Sequence, residues 1–578
     1  MPDNRMVTAA ATDIITSRTK YHMQPRWTGT FLTSKLVPIY ADSSIRPGDT
    51  VKLNISQVIR GINPVFPVMD DAYLSVECFF VRHKNVLSRT MMTPSVNDSN
   101  RSWAAWLGAQ DSLLNMPLPD NTIKLPKMQI FSKSSGSFPY KVGGLADCLL
   151  MPPTPTDASY EVNCLKPLAY FSVWNSFFRE PSNQSPVTFS LNNGYLQFAG
   201  SDAGIPGSNS HILSMYDLAG VCRDHGYFGS ALPWPQRNSD AVTLPLGDSA
   251  PVFTGDVIDS NLLAGNVSLK WASVGTGAVA QNQGPLGNAY SSGSGGSTVI
   301  GTSGALTAAA SVLPANLWTD LSMATAATVN QVRYAFAAQR WFEQLARGGN
   351  RYCELVYSMT GVRQHDSVDD RPEYLGGKRI PINQCQVAQT APASGQSTGL
   401  GYLGAFSHTS DSDYYFTKSF DDYGTLIIVA FVRVKDSFHQ GIARQDTVFD
   451  KFDIFWSQFA NIGEVPIKNK EIFVQGNAQD EQVFGYQEAW ADYRLKLDGV
   501  CGLVRPSENL GYLTYTNNFS SLPDLKTFLT GSQVANVDQT LTSQSAAAGY
   551  QWMAQFQFDI EFVRQIPMYS IPGYIDHH

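Results

Sequence analysis

The chain has 578 residues, enough by length for roughly three or four domains and for a core that removes about 75% of the unfolded surface from water. Aromatic residues make up 12% and charged residues only 16%, with 46 Gly and 32 Pro, which argues against a helix-dominated enzyme and for a loop-rich β architecture. The net charge of −8 excludes a protein that coats nucleic acid over its whole surface, while the scarcity of charge leaves much surface suited to protein contact.

The opening stretch has neither the basic n-region nor the apolar h-region of a signal peptide, and no run approaches about 18 apolar residues, so neither export nor membrane insertion is expected. Residues 1–27 are read as an N-terminal arm, and within it Arg18, Lys20, His22 and Arg26 stand with Tyr21 and Trp27 in a run from 18 to 27 that contains no acid. Such a run suits nucleic acid, although most short basic runs are simply solvated. Residues 28–86 predict strands: FLTSKLVPIYA, then a turn at Arg46-Pro47-Gly48-Asp49, then TVKLNISQVIRG and YLSVECFFVRH. In the second of these, Val51, Leu53, Ile55 and Val58 nearly alternate with Lys52, Asn54 and Ser56, the period of a half-buried strand.

Leu168, Phe171, Trp174 and Phe178 recur at helical spacing and predict a helix from Pro167 to Arg179. Trp271 to Thr319 carries no charged residue and is rich in Gly, Ser, Ala and Thr, the composition of a linker. Its apolar groups, among them Val279, Leu286, Tyr290 and Trp318, equally suit an ordered loop packed on a neighbouring copy. Thr328 to Arg347 opens with a Thr-x-x-Gln capping pattern, aligns Val332, Phe336 and Leu345, and stops at Gly348-Gly349, which predicts a second helix. Strand-like runs follow at Glu354 to Val362, Thr425 to Val434, Phe484 to Arg505 and Gln555 to Arg564. In the last, Phe556, Phe558, Ile560 and Phe562 alternate with Gln557, Asp559 and Glu561. Strands that belong together are thus separated by hundreds of residues.

The seven cysteines (Cys78, Cys148, Cys164, Cys222, Cys353, Cys385, Cys501) form no C-x-x-C pair and read as reduced thiols rather than disulfides or a zinc site. GLGYLG at 399–404 has dinucleotide-binding spacing, but a polar loop precedes it and no helical pattern follows. The acid pairs Asp369-Asp370, Asp421-Asp422 and Asp480-Glu481 would point to opposite faces of a strand, a poor arrangement for glycoside hydrolysis. The nine histidines include no metal-binding spacing. No catalytic residue, metal or cofactor is expected. The alternative is a β-rich carbohydrate-binding or glycoside-hydrolysing protein, consistent with 25 Tyr and 11 Trp.

Nine motifs in order resemble the major capsid proteins of the Microviridae, particularly the gokushovirus-like branch. They are KLVPIYADSSIRPGDT (35–50), NPVFPVMDDAYLSVECFFV (63–81), NSFFRE (175–180), YFGSALPWPQR (227–237) with AVTLPLG, TVNQVRYAFAAQRWFEQLARGGNRYCE (328–354), RPEYLGG (371–377), NKEIFVQG (469–476), FGYQEAWADYRLKLDGVCGLVR (484–505) and IPGYIDHH (571–578). Within them Pro64, Phe66, Pro67, Pro233, Trp234, Pro235, Arg371, Pro372, Gly376, Gly377, Gly485, Tyr486, Pro572 and Gly573 read as structural residues that fix turns and anchors.

The resemblance implies a mainly β fold: an eight-stranded antiparallel jelly-roll β-barrel over residues 28–578 with long loop and helical insertions at about 90–420. It implies a T=1 icosahedral shell of sixty copies around a circular single-stranded DNA genome, assembled in a bacterial host's cytoplasm. The arm would lie on the inner face, with Arg18, Lys20 and Arg26 as candidate DNA contacts. Implied partners are a small basic DNA-binding protein, an internal scaffolding protein and a host surface receptor. The uncharged 271–319 loop is the candidate surface protrusion.

Overall fold

Alternation of apolar side chains gives the strands Thr50–Gly61 and Trp552–Arg564 one buried and one open face, and they belong to a set of nine strands that builds two sheets. The computed structural model describes residues 18–62, 64–87, 103, 125–237, 329–348, 351–362, 371–390 and 403–569, apart from a few positions, together with the backbone of short strands at 92–93 and between 252 and 319. The strands are β1 (Thr19–Met23), β2 (Arg26–Phe31), β3 (Val37–Ile45), β4 (Thr50–Gly61), β5 (Ala72–Arg82), β6 (Glu373–Pro381), β7 (Thr409–Ser419), β8 (Gly424–Val434) and β9 (Trp552–Arg564). In the first sheet β9 has β1 and β2 along one side and β4 along the other, with β7 outside β4. In the second the order is β3, β8, β5, β6, and every pairing in both sheets is antiparallel. β1 and β2 form one edge interrupted at Gln24-Pro25, and the Pro25 carbonyl accepts from Phe558 N at 3.0 Å. An edge tolerates proline because one side of its backbone needs no ladder partner.

The two sheets share one core. Phe556, Phe558, Ile560 and Phe562 of β9 and Leu53 and Ile55 of β4 meet Leu74, Val76 and Cys78 of β5 and the apolar run of β8 within a single buried cluster. The other face of the second sheet is also covered. Helix α1 (Leu165–Val173), which continues as a π turn over Trp174–Phe178, sets Phe177 and Phe178 against Phe79 and Phe178 against Phe431 at ring distances of 4.8 to 6.0 Å. Burial on both faces is why β8 reads as an unbroken apolar run, whereas β4 and β9 alternate. A small sheet (Thr188–Asn192, Tyr195–Ala199, Lys127–Ile130, Tyr160–Asn163, with Met92–Thr93) backs the helix, Phe198 lying 4.6 Å from Phe171.

The chain divides into two units, residues 1–237 with 343–578, and residues 238–342. The second contains the uncharged 271–319 segment, whose described backbone forms short antiparallel pairs such as Trp271–Gly275 with Ala278–Ala280 and with Val312–Pro314.

Several expectations shift. The first sheet begins at Thr19, inside the expected arm, because β1 and β2 both pair with β9. β6 and β7 both lie within the span expected as insertion. Glu354 to Val362 is no strand: Tyr352–Thr360 is a helix, its start fixed by the Glu354 carboxylate accepting from Arg351 N at 3.1 Å and its end by Gly361 at φ 73°. Phe484 to Arg505 is mostly loop and short turns, with Val483–Glu488 paired to Glu464–Lys468 and a two-residue strand, Asp498–Gly499, paired to Ser437–Phe438. The helix predicted from Thr328 spans Val329–Arg347. Leu403 and Gly404 of GLGYLG open a strand, Leu403–Ser407, paired with Gln384–Ala388; residues 399–402 of that motif lie outside the described residues.

Buried polar groups at the sheet ends make the fold sensitive to pH. His83, following β5, is buried with its ring 4.4 Å from Trp103 and Nε2 3.0 Å from Thr425 Oγ1. Burial pushes its pKa down to about 4, against a smaller upward pull from Asp422. The unfolded chain therefore binds a proton that the folded chain refuses as pH falls from about 6.5 towards 4. Stability that is complete above that range should be lost through it, by up to about 3 kcal/mol. Urea unfolding of the unassembled chain at pH 7 and pH 4 should show a smaller acid loss in His83→Gln than in the parent; equal losses would refute this.

Candidate nucleic-acid interface

The open face of the first sheet follows from strand parity. With Phe556, Phe558, Ile560 and Phe562 pointing into the core, β9 turns Met553, Gln555, Gln557, Asp559, Glu561 and Val563 outward. β4 likewise turns out Lys52, Asn54, Ser56, Val58 and Arg60. The register places Lys20 opposite Val563, His22 opposite Glu561 and Arg26 opposite Gln557. Lys20 and Arg26 therefore share this face, and exposed Arg18 precedes β1 in the same parity, beside Gly48.

Their electrostatic settings differ. Lys20 Nζ lies 3.0 Å from Glu561 Oε2, which Lys52 also approaches at 4.0 Å, and the Lys20 ammonium holds the Glu561 carboxyl below its usual range. His22 does the same for Asp559, whose other oxygen accepts from Asn54 Nδ2 at 3.3 Å. Half of the face is thus internally neutralised. The other half is not: Arg26 and Arg60 have no ion pair among the described residues. Arg26 borders a shallow groove of about 470 Å³ lined by Ser56, Gln57, Val58, Gln555, Gln557, Ser410, Ser412 and Asp411, whose carboxylate is taken up by Lys378 at 2.9 Å. A cation among amides and hydroxyls that both donate and accept can hold a phosphate and hydrogen-bond a sugar or base edge. Arg60 and the Gln and Ser set escaped the sequence reading, although the alternation of β4 and β9 already places them on the open side.

The motif residues sit at joints. Leu232 exchanges backbone hydrogen bonds of 2.7 Å each way with Tyr486, so the stretch leading into Pro233, Trp234 and Pro235 is bound to the Gly485-Tyr486 motif. A Cβ on Gly485 would lie 3.2 to 3.3 Å from Leu525, Ala231 and the Leu232 carbonyl. Pro64 bridges to Leu541, and Phe66 stacks on Tyr512 at 5.2 Å; Pro67 is half-buried beside them. Arg371 lies 5.3 Å over the Phe177 ring, and Pro372 beyond it is buried. Gly376 marks a bulge in β6, and a Cβ on Gly377 would strike the Glu77 carboxylate. Pro572 and Gly573 lie outside the described residues.

The acid pairs also have structural work. Asp421 binds Arg82 at 3.0 Å and Asp422 pairs with Lys84 at 2.6 Å. Asp480 accepts from the Gln475 and Gly476 amides, and Glu481 pairs with Lys468 and Lys470 at 2.6 Å each. Asp369-Asp370 lies outside the described residues.

A family model described as capsid protein (F protein) matches residues 10–574. The chain belongs to this phage capsid-protein family. Among its relatives, capsid protein VP1 of Spiroplasma virus 4 is 31% identical over 568 residues, covering 96% of this chain and 95% of that protein. Capsid protein VP1 of Bdellovibrio phage phiMH2K is 31% identical over 575 residues, with 96% of each covered. That of Chlamydia phage 1 is 27% identical over 581 residues, covering 94% and 93%. As the Microviridae resemblance implied, this capsid chain is a structural component of a virion and not an enzyme. No helix among its described residues is long and apolar enough to cross a membrane.

Proposed function

We propose that the capsid chain self-assembles into a T=1 icosahedral shell around a circular single-stranded DNA genome, its two sheets forming one eight-stranded jelly roll. The strand orders favour that topology: if β1 and β2 count as one broken strand, each sheet holds four strands, and the chain crosses between the sheets over a shared core. The observation that carries the DNA-facing role is the uncovered polar face of the first sheet, where Arg18, Arg26 and Arg60 are not neutralised by acids among the described residues. This face would look inward. An acidic chain enclosing DNA also calls for counterions or helpers, roles suited to a small basic DNA-binding protein and an internal scaffolding protein. The 271–319 segment, free of charged residues, would form a surface protrusion that meets its symmetry mates and a host receptor.

Assembly is tested by sedimentation and negative-stain microscopy of the purified chain: uniform icosahedral particles are expected, and a chain that stays monomeric in every condition overturns the proposal. The DNA role is tested by particles carrying Arg18→Gln, Lys20→Gln and Arg26→Gln together. Their DNA content, from the 260/280 nm absorbance ratio, should fall, and the salt dependence of binding a single strand should flatten by about 2 in log–log slope. Arg26→Gln alone should cost more than Lys20→Gln alone, because Lys20 is already held by Glu561. Unchanged packaging would reject the assignment.

A further inference from the structure

One loop between β8 and β9 is built against the usual rule for a soluble surface. From Val448 to Ile462 the sequence reads VFDKFDIFWSQFANI, and Phe449 is 89%, Phe452 62%, Ile454 48%, Phe455 44%, Trp456 50% and Ile462 53% exposed. With about 200 Å² for each such side chain, these six expose roughly 700 Å². Scattered apolar residues on a surface need no explanation, but so large an apolar patch from one short loop marks a contact site.

The loop is held in place. The Asp453 carboxylate accepts from the Phe449 and Asp450 amides at 3.3 and 3.1 Å, and the Trp456 indole donates to the Lys451 carbonyl at 2.7 Å. The Trp490 indole donates to the Phe459 carbonyl at 2.8 Å, and the Phe455 ring stands edge-on to Trp490 at 5.4 Å. Much of the ordering entropy that a partner would otherwise have to overcome is therefore already lost in the free chain.

We infer that this loop is a subunit contact whose occupant is a second copy of the same chain. The inference rests on the shell-forming role proposed above. The exposed area approaches the roughly 800 Å² per partner that a standard-size interface takes. Its composition, Phe and Trp with Asp450, Lys451 and Asp453 interspersed, is that of an interface core with a few rim charges, and it lacks the cation cluster that a lipid or nucleic-acid surface would require.

The test combines Phe449→Ser with Phe452→Ser, since both side chains are mostly exposed and their loss should leave the melting of the unassembled chain unchanged. Particle yield by sedimentation should fall at least tenfold against the parent prepared in parallel. Hydroxyl-radical footprinting of parent particles should show residues 449–456 protected relative to the unassembled chain. If the parent assembles while the loop stays reactive in particles, or the folded variant assembles as well as the parent, this inference is overturned and the shell reading stands. If the parent itself never assembles, both fall.

Discussion

Phe556→Ala should destabilise the unassembled chain by about 3–5 kcal/mol, a large fraction of a typical folding free energy. Phe556 is fully buried near the middle of β9, the strand that carries β1 and β2 on one side and β4 on the other. Its ring lies 5.9 Å from Trp27, 6.2 Å from Phe31 and 6.4 Å from Phe558, so truncation removes aromatic contacts to β2 as well as opening a cavity. The backbone around it is fixed on both sides by the ladder, which limits how far neighbours can collapse into the void. Urea unfolding would report the effect as a lower midpoint. Phe449→Ser, at an exposed position, should stay within about 0.5 kcal/mol of the parent. A loss below about 1 kcal/mol for Phe556→Ala would contradict a shared core at this point.

Arg223→Met should cost about 3 kcal/mol, because it removes the cation from a largely buried polar cluster while keeping most of the side-chain stem. Arg223 is 7% exposed at its side chain; Nη1 lies 2.5 Å from Asp436 and 3.0 Å from Asn517 Oδ1, and Nε donates to the Phe528 carbonyl at 2.8 Å. Its guanidinium also sits 4.3 Å over the Phe528 ring. The expected cost falls at the low end of that for a broken buried pair, since Asp436 keeps bonds from Gln533 Nε2 at 2.8 Å and Asn517 Nδ2 at 3.0 Å. Adding Asp436→Asn, which removes the stranded charge and retains an acceptor, should recover at least half of the loss. A double variant no more stable than Arg223→Met would show that the charge was never the source of the cost.

That cluster ties three distant stretches together: the segment before YFGSALPWPQR, the exit from β8 and the residues around Phe528. Beside it a second buried group joins Tyr227, Phe228, Ile467, Phe484 and Phe528. The C-terminal third is thereby fastened to the β scaffold, while its aromatic loop at 448–462 is left facing outward. A shell subunit needs this combination, a rigid body with apolar surface reserved for neighbours.

Much of the scaffold was legible in the residues. The period-two pattern of β4 and β9 and the unbroken apolar run of β8 are local consequences of which faces are buried; the helix at 329–347 was readable from its spacing although only Leu345 and Ala346 of it are buried and Phe336 is exposed, and ordered motifs pointed to the family. β6 and β7 were not legible. EYLGGKRIP and TSDSDYYFTKS are rich in glycine and polar groups because they are edge strands with mostly exposed side chains, and only pairing with β5 and β4 makes them strands. Glu373 looks like an ordinary surface acid until the fold buries it between Arg82 at 3.3 Å and Lys418 at 2.6 Å. The basic residues near the start show the same division. Their charge and spacing are written in the chain, but the neutralisation of Lys20 by Glu561, and its absence at Arg26, depends on which strand lies alongside. Periodicity is set within a few residues by burial of one face. Pairing and charge compensation are set by contacts across hundreds of residues, so only the tertiary structure decided them.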